Sequence, residues 1–210
     1  AVFGLNQGAK IAHELAKNAD VELVAVAGFG DAAEKVAADL NVSLYADYQE
    51  LLAQVPLDAV AIALPNQLHL SAVEASLNAG VRKILLEKPI ASTIEDGEKI
   101  VAMCKEVKAT LLIGHHRRSS SRYLALRSVL ESGRIGEIVA IQSTYAVAKP
   151  HEYFDLEWHT KRSGGPLLLN AIHDFDDINY FAVGLKPQCV FALGSNSIRG
   201  NESEDTVSAI

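Results

Sequence analysis

Apolar runs and helical patterns alternate along the first half of the chain. Five apolar, strand-like runs lie at residues 1–3, 21–27, 58–64, 83–87 and 110–114. Helical spacing of apolar residues is found between them, near residues 9–17, 31–40, 67–79 and 93–107. The runs lack strict alternation of apolar and polar positions, as expected when helices cover both faces of a sheet. The pattern predicts an α/β fold in which βαβ units form a doubly wound parallel sheet.

The pattern changes after Gly114. A helix near 122–131, a strand at 137–146, an irregular segment at 149–165, a helix near 167–182 and a strand near 189–194 are predicted in that order. This order is typical of an α+β domain with a mostly antiparallel, open sheet. We therefore expect two domains, residues 1–116 and 117–210. The chain begins inside a predicted strand, and EDTVSAI at its end reads as the start of another. We expect the second domain to be C-terminally incomplete.

Charge and cysteine content limit the classes of function. The 210 residues include 26 acidic and 19 basic side chains, a formal net charge of -7, and no block of Lys or Arg stands out. A nucleic-acid or anionic-membrane partner is therefore not expected. Cys104 and Cys189 lie far apart in the sequence, which fits a reducing cytoplasm and matches no metal motif. We expect a cytoplasmic protein without a metal site.

The segment VFGLNQGAK places a glycine turn between the first predicted strand and its helix. In a dinucleotide-binding unit such a turn brings the backbone close to a pyrophosphate, and the helix N-terminus offers unpaired N–H groups. Gly4 fills the first position of the usual G-x-G-x-x-G pattern. Asn6 and Ala9 stand at the second and third positions, with Gly8 one place early. Asparagine tolerates positive φ and alanine is small, so a dinucleotide turn is compatible with the sequence. An ordinary tight βα connection is the alternative.

The end of the second strand in such a unit contacts the adenosine ribose. An acidic residue in this region favours NAD, and an arginine favours the 2′-phosphate of NADP. Here the apolar run ends in Gly28, Phe29 and Gly30, followed by Asp31. The sequence therefore predicts NAD or NADP as the cofactor without choosing between them.

The apolar run at 83–87 ends in a carboxylate, an amine and a proline, which are Glu87, Lys88 and Pro89 in KILLEKPIAS. A turn requires only the proline, so the carboxylate and the amine before it need another explanation. The preceding run is followed by Pro-Asn-x-x-His at residues 65–69. The two segments at this spacing resemble the signature of the Gfo/Idh/MocA family, oxidoreductases related to glucose–fructose oxidoreductase and inositol dehydrogenase. GHHRRSS, SGRIGEIVAI and SGGPLLLNAIHDFD resemble the family's crossover, the start of its second domain and its catalytic histidine helix. The resemblance covers essentially the whole chain.

The resemblance implies a Rossmann domain, a cis Lys88–Pro89 bond and a catalytic pair in which Lys88 stabilises the reacting oxygen and His173 is the acid/base. Asn170 lies three residues before His173, on the same face of the predicted helix. The family commonly has aspartate at that position, so a carboxylate-assisted relay is in doubt. The residues that the resemblance assigns to the cofactor are Gly4, Asn6, Gln7, Gly8, Leu64, Pro65, Asn66, His69, Glu87, Lys88, His116 and Arg117.

Two of these residues have competing interpretations. His69 either contacts the nicotinamide side of the cofactor or is a helix-surface histidine. Arg117 either holds Glu87 or cofactor oxygens, or is an exposed charge. His115 and His116 follow a predicted strand at the edge where Lys88 lies, and the family often has asparagine near His116, so a role in the cleft is an expectation.

Polar and aromatic side chains in the second domain also have two interpretations. For Asp174 and Asp176, capping and solvated charge are favoured over metal binding, because the spacing matches no strong metal motif. Tyr153 and Trp158 either wall a sugar site by stacking or pack their own loop.

The resemblance implies an NAD(P)-dependent oxidoreductase. The expected reaction transfers a hydride between the nicotinamide and a carbinol or carbonyl carbon of a sugar, inositol or related polyol. A homodimer or homotetramer is also implied. Three alternatives stay open: a non-catalytic dinucleotide sensor, an oligomer-forming interaction role, and a reductase acting on an imine or a bilin. The altered glycine pattern and Asn170 favour the sensor, whereas Lys88 and His173 favour the enzyme.

Overall fold

The computed structural model describes residues 1–182 and 184–210, which divide into two units, Ala1–Gly114 and His115–Ile210. The strands of the first unit are β1 (Val2–Phe3), β2 (Ala25–Ala27), β3 (Ser43–Tyr45), β4 (Ala59–Ile62), β5 (Lys83–Leu86) and β6 (Thr110–Ile113). They form one sheet in the order β3-β2-β1-β4-β5-β6, and every neighbouring pair is parallel. The predicted Rossmann sheet is confirmed. Its strand order reverses between β1 and β4, and ligands of such sheets bind outside the carboxyl ends of the strands at that point.

Five helices of the first unit cover this sheet. They are α1 (Gly8–Ala16), α2 (Asp31–Leu40), α3 (Tyr48–Gln54), α4 (His69–Asn78) and α5 (Ile94–Glu106). A 3-10 turn, Asn66–Leu68, leads from β4 into α4. The predicted helices all form, with ends that differ by at most a few residues. The sequence prediction missed β3 and α3. The side chain of Asp47 caps α3 by accepting hydrogen bonds from the N–H groups of Gln49 and Glu50, both at 2.8 Å.

The core of the first unit lies on both faces of the sheet. Phe3, Ile62 and Leu86 pack in one cluster with side chains of α3, α4 and α5. Their strand neighbours Val2 and Ala61 pack in a second cluster with α1 and α2. Successive strand residues point to opposite faces, and both faces are buried, so the strands read as continuous apolar runs. Each large apolar side chain buried in this way contributes about 1.5–3 kcal/mol.

The second unit is α+β, as predicted. It contains α6 (Ser121–Glu131) and α7 (Ile172–Phe181), together with an antiparallel pair, β7 (Ala192–Ser195) and β8 (Thr206–Ala209). A π-helical turn, Leu167–Ala171, leads into α7. The segment predicted to be irregular forms the 3-10 turns His151–Asp155, Glu157–Thr160 and Arg162–Gly164. None of the helices in the described parts of either unit has the length and apolar character needed to cross a bilayer.

The prediction of a strand at residues 137–146 is wrong. These residues carry no strand assignment, and all of them except Ile138 are exposed. Alternating side chains favour a strand, but a strand also needs a neighbour that pairs with its backbone N–H and C=O groups. Among the described residues, the only strands of this unit are β7 and β8, which pair with each other.

Candidate functional site

The turn after β1 is built on Gly4. Its φ of +82° is a conformation that residues with a side chain rarely adopt. A Cβ at Gly4 would lie 2.6 Å from the carbonyl oxygen of Ala63, so the turn requires glycine for space as well as for conformation. Asn6 does not adopt a positive φ, and its tolerance of that region is therefore not used.

The N-terminus of α1 is open to an anion. Gln7 occupies the N-cap position, and its side chain makes no capping hydrogen bond. Asn6 and Gln7 are exposed, whereas Gly8 is buried, and a Cβ at Gly8 would lie 3.1 Å from the Cβ of Ala63. The N–H groups of the first turn keep their partial positive charge available to a ligand. The close glycine packing and the absence of a side-chain cap fit a dinucleotide pyrophosphate.

The loop after β2 carries no carboxylate at its first position. Gly28 packs against Leu5, since a Cβ on Gly28 would lie 3.1 Å from the Cδ1 of Leu5. Phe29 is 90% exposed, and Asp31 is the first residue of α2. Neither a cation for a 2′-phosphate nor a strand-end carboxylate for a 2′-hydroxyl is placed there. The geometry therefore leaves NAD and NADP both open.

The segment after β4 is buried and is linked to the segment after β5. Asn66 and His69 are 4% and 1% exposed. The Nε2 of His69 lies 2.9 Å from the carbonyl oxygen of Leu64, and its Nδ1 lies 2.9 Å from that of Pro89. Burial lowers the pKa of His69, which favours the neutral imidazole. The helix-surface alternative for His69 is wrong, and its contact with the cofactor stays a prediction.

Glu87 packs against bare backbone at the end of β6. A Cβ on Gly114 would lie 2.9 Å from the Oε1 of Glu87, and the N–H of Lys88 donates to the Oε2 of Glu87 at 3.1 Å. Glu87 and Lys88 are half-buried, and the Lys88–Pro89 bond is cis, as predicted. Only β4 separates β5 from β1. Lys88 and the turn at Gly4 therefore lie on the same edge of the sheet.

In the second unit, three aspartates of α7 bind two arginines that precede α6. The Nη1 of Arg117 lies 3.1 Å from the Oδ1 of Asp174 and 2.6 Å from the Oδ2 of Asp177. Arg118 donates to both carboxylate oxygens of Asp176. The side chain of Asp176 is 9% exposed. The interpretation of Asp174 and Asp176 as solvated or capping charges is therefore wrong, because each carboxylate is largely buried and binds an arginine.

Arg117 is half-buried and binds these carboxylates, so its interpretation as an exposed charge is also wrong. Its contacts with Glu87 and with cofactor oxygens stay predictions. The sequence prediction missed two partners of this cluster: the hydroxyl of Tyr123 donates to the Oδ2 of Asp177 at 2.8 Å. A signal was present, because Asp174 and Asp177 are three residues apart on one helix and so share a face.

Two further imidazoles lie beside His173, which is 9% exposed. The ring centroid of His116 lies 5.1 Å from that of His173, and that of His115 lies at 6.2 Å, both edge-on. The Nδ1 of His115 lies 3.4 Å from the Oδ2 of Asp176. Imidazole is the side chain best suited to take up and release a proton near neutral pH, so this part of the second unit contains the groups needed for proton transfer. Across residues 1–182 and 184–210, no group of three or more His, Cys, Asp or Glu side chains is arranged to hold a metal ion.

Asn170 lies in the π-helical turn that leads into α7. π turns are rare and are often found at functional sites. The α-helical spacing behind the predicted shared face of Asn170 and His173 applies only from Ile172 onward, because the preceding turn is wider. The side-chain N–H group of Asn170 donates to the hydroxyl of Tyr145 at 3.4 Å.

A cavity of about 240 Å³ lies within the second unit beside Asn170. The sequence prediction missed Lys149 and Arg199 in its lining, since no motif singles them out. Tyr153 also lines it, and its ring stacks on that of His159 with centroids 3.8 Å apart. The ring of Trp158 lies 3.8 Å from the same imidazole. Both aromatic residues therefore pack within their own loop.

Comparison with protein families gives a match for each unit. A model described as an oxidoreductase family with an NAD-binding Rossmann fold matches residues 1–115. A model described as the GFO/IDH/MocA C-terminal domain matches residues 123–210.

Individual relatives extend these matches. Inositol 2-dehydrogenase of Rhizobium meliloti (strain 1021) is 35% identical over 200 residues, covering 92% of this chain and 58% of that protein. The WlbA dehydrogenase of Bordetella pertussis, in complex with NADH and UDP-GlcNAcA, is 26% identical with a TM-score of 0.89, covering 99% of this chain and 64% of that one. Scyllo-inositol dehydrogenase of Lactobacillus casei, with bound NAD(H) and scyllo-inositol, is 28% identical with a TM-score of 0.80, covering 93% of this chain and 58% of that one. The chain spans less than two thirds of each of these relatives.

Proposed function

This chain belongs to the Gfo/Idh/MocA oxidoreductase family, and we propose that the protein transfers a hydride between NAD or NADP and a carbinol or carbonyl carbon of a sugar, inositol or related polyol. One observation carries the proposal. The open N-terminus of α1 and Lys88, at the end of β5, lie on the same edge of one parallel sheet. In sheets of this topology that edge is the ligand site. The names of the relatives support a polyol or sugar substrate.

The cofactor is assigned to the carboxyl edge of the first unit. The turn at Gly4 and the first N–H groups of α1 receive the pyrophosphate, because they combine close backbone approach with a partial positive charge. The nicotinamide, when bound, supplies the hydride chemistry. The further residues proposed to hold the cofactor are Asn6, Gln7, Gly8, Leu64, Pro65, Asn66, His69, Glu87, Lys88, His116 and Arg117.

His173 and Lys88 act on the substrate oxygen. In the oxidation direction His173 accepts the hydroxyl proton, and in the reduction direction it returns it. Lys88 donates a hydrogen bond to the same oxygen and stabilises its developing negative charge. Asn170 orients the imidazole or a substrate hydroxyl, because an amide cannot take up the proton.

The second unit is assigned to substrate contacts and assembly. We propose that residues 117–210 form this domain and that residues 1–116 form the dinucleotide-binding domain. The protein is expected to be a cytoplasmic homodimer or homotetramer. Light scattering from the whole protein measures its mass in solution, and a monomer at every concentration tested would contradict the assembly proposal.

A binding titration combined with turnover tests the proposed reaction. NADH and NADPH fluorescence measures binding of each cofactor, and absorbance of the reduced nicotinamide measures turnover on a panel of inositols, sugars and sugar acids. The enzyme consumes or forms reduced cofactor with at least one of these substrates. A sensor, which Asn170 in place of the family's aspartate favours, binds the cofactor and turns over none of them.

A further inference from the structure

His69 lies between two loops at the carboxyl edge of the sheet. It is the first residue of α4 and is 1% exposed. Its Nε2 faces the carbonyl oxygen of Leu64, where β4 ends, and its Nδ1 faces the carbonyl oxygen of Pro89, one residue after Lys88. A weaker approach joins the Nδ1 to the carbonyl oxygen of Ile90 at 3.4 Å. The ring therefore spans the gap between the segment after β4 and the segment that carries Lys88.

The neutral ring can donate a hydrogen bond to only one of these two carbonyl oxygens at a time. Backbone carbonyl oxygens only accept hydrogen bonds, and a neutral imidazole has one N–H to donate. One of the two 2.9 Å contacts is therefore a hydrogen bond in either tautomer, and the second becomes one only in the imidazolium form. Burial is the largest influence on the pKa of His69 and opposes the imidazolium form, whereas the backbone carbonyl oxygens and, more weakly, the charge of Glu87 favour it. The tautomer decides which of the two loops the histidine holds.

We propose that His69 is a positioning residue that holds the Lys88 segment against the end of β4, with its Nδ1–H donated to the carbonyl oxygen of Pro89. This inference rests on the proposed function, in which Lys88 stabilises the substrate oxygen. The aliphatic stem of lysine has four rotatable bonds, so the amine is directed only if the backbone beneath it is fixed. A buried bond to the adjacent residue provides that constraint. His69 acts through Lys88 and does not touch the reacting atoms.

The two amide substitutions of His69 separate the two contacts. In His69→Asn the amide nitrogen takes the place of Nδ1 and can still donate to Pro89. In His69→Gln it takes the place of Nε2 and can donate only to Leu64. His69→Leu removes both ring nitrogens and fills the space with an apolar side chain. We expect kcat to stay within about tenfold of wild type in the Asn variant and to fall by about 10²-fold in the Gln and Leu variants, because misplacement of a catalytic group by about 1 Å costs that much.

A merely structural role gives a different pattern. It would lower the Tm of the Asn and Gln variants alike and leave kcat unchanged at temperatures well below both transitions. The KM for NAD(H) provides a second comparison. Loss of Lys88 positioning should lower kcat by a larger factor than it raises this KM, since the glycine turn and α1, which are proposed to hold the pyrophosphate, are untouched. Equal kcat losses in the Asn and Gln variants would overturn the inference.

A measurement that needs no turnover keeps this inference separate from the proposed reaction. Reductive ¹³C-methylation of the whole protein gives each lysine an NMR signal, and the Lys88 signal is assigned by its loss in Lys88→Arg. We expect the Lys88 signal to keep its wild-type position in His69→Asn and to move towards that of the exposed Lys83 in His69→Gln and His69→Leu. An unmoved Lys88 signal in all three variants would overturn the positioning role. A moved signal in a protein that turns over no polyol would uphold it and would reject the dehydrogenase instead.

His13 provides the matched control. It is a half-buried histidine of α1 whose Nδ1 lies 2.8 Å from the carbonyl oxygen of Ala9, within its own helix. Because this contact joins no two loops, His13→Asn and His13→Gln should leave the Lys88 signal and kcat unchanged. A Lys88 signal that responds equally to His13 and His69 substitutions would reject a specific link through Pro89.

Discussion

The carboxylate of Glu87 lies directly against the backbone of Gly114, in the space that a side chain at residue 114 would occupy. A Cβ there would lie 2.9 Å from Oε1 and 3.0 Å from Cδ of Glu87. The segment that carries Lys88 is therefore packed against the end of the neighbouring strand through a contact that only glycine allows. Glu87 also accepts the N–H of Lys88, so displacement of its carboxylate acts on the catalytic segment.

Gly114→Ala should lower the free energy of unfolding by about 1–3 kcal/mol, the usual cost of adding a methyl group to a filled space. Chemical denaturation measures this change. Gly194→Ala is the control, because a Cβ at Gly194 would meet nothing nearer than 4.0 Å. Equal stability of the two variants would contradict tight packing of Glu87 on Gly114.

Lys88→Met and His173→Asn should each lower kcat by about 10²–10³-fold, the typical cost of losing one charge-stabilising or proton-transferring group. Both substitutions keep a side chain of similar size. Cofactor binding measured by fluorescence should persist in His173→Asn and weaken in Lys88→Met, which loses one of the proposed cofactor contacts. Lys83→Met is the matched control, since Lys83 is an exposed lysine at the opposite end of the same strand. Near-native turnover in either catalytic-site variant would remove that residue from the proposed mechanism.

The sequence predicts the first unit well where local signals are strong. Charged residues at the ends of apolar runs place Lys88 and Glu87 at the sheet edge, and long periodic segments give the helices. The short elements β3 and α3 are missed, although Asp47 and Glu50 form a capping pattern at the start of α3. Three-residue strands carry too few positions for a period to be recognised.

The environment of individual side chains depends on contacts between distant segments, which no local pattern contains. The sequence does not reveal that His69 is buried, because its partner Pro89 lies in another loop. Asp174 and Asp176 read as solvated because no Lys or Arg lies near them in the sequence, whereas the arginines that bind them lie before α6. The strand predicted at 137–146 has the right alternation but no neighbour among the described residues. At each of these positions, contacts with distant segments decide the structure, and local sequence preferences do not.

Gly4→Ala should weaken cofactor binding and lower stability together. The substitution forces a side chain into φ of +82° and drives its Cβ onto the carbonyl oxygen of Ala63. Gly80→Ala separates these causes, because Gly80 has φ of +89° and no atom within 4 Å of an added Cβ. Gly80→Ala should lower the free energy of unfolding only by the cost of a side chain at positive φ, about 1–2 kcal/mol. We expect a larger loss at Gly4, together with weaker NADH binding by fluorescence titration. Equal stability losses and unchanged binding would exclude a close-packed pyrophosphate turn.

Arg117→Met should destabilise the second unit by about 1–3 kcal/mol, because it leaves Asp174 and Asp177 without their shared cation in a partly buried site. The pair with Asp177 can be isolated by a double-mutant cycle of Arg117→Met and Asp177→Asn, for which a coupling energy of about 0.5–3 kcal/mol is expected. Arg122→Met is the control, as Arg122 is exposed on α6 and forms none of the ion pairs seen in the described residues. A coupling energy near zero would mean that the pair contributes nothing to stability.

The buried imidazole of His69 should make the stability of the first unit depend on pH. Burial lowers the pKa of His69 below the value of 6.5 for an exposed histidine. As the pH falls through about 6.5, the unfolded chain takes up a proton that the folded chain resists. The unfolded state then binds more protons, so the free energy of unfolding falls as the pH falls. Above that pH the imidazole is neutral in both states, and its contribution stays constant.

Urea denaturation of wild type and His69→Asn at about pH 7.5 and about pH 5.5 isolates this contribution, since asparagine does not titrate. We expect wild type to lose more stability than the variant between the two pH values, by about 1.4 kcal/mol for each pKa unit of the shift that lies within that window. An equal loss in the two proteins would mean that the imidazole takes up its proton as readily in the folded state as in the unfolded chain. In that case the ring could donate to Leu64 and Pro89 at once, and the choice of tautomer would no longer decide which loop it holds.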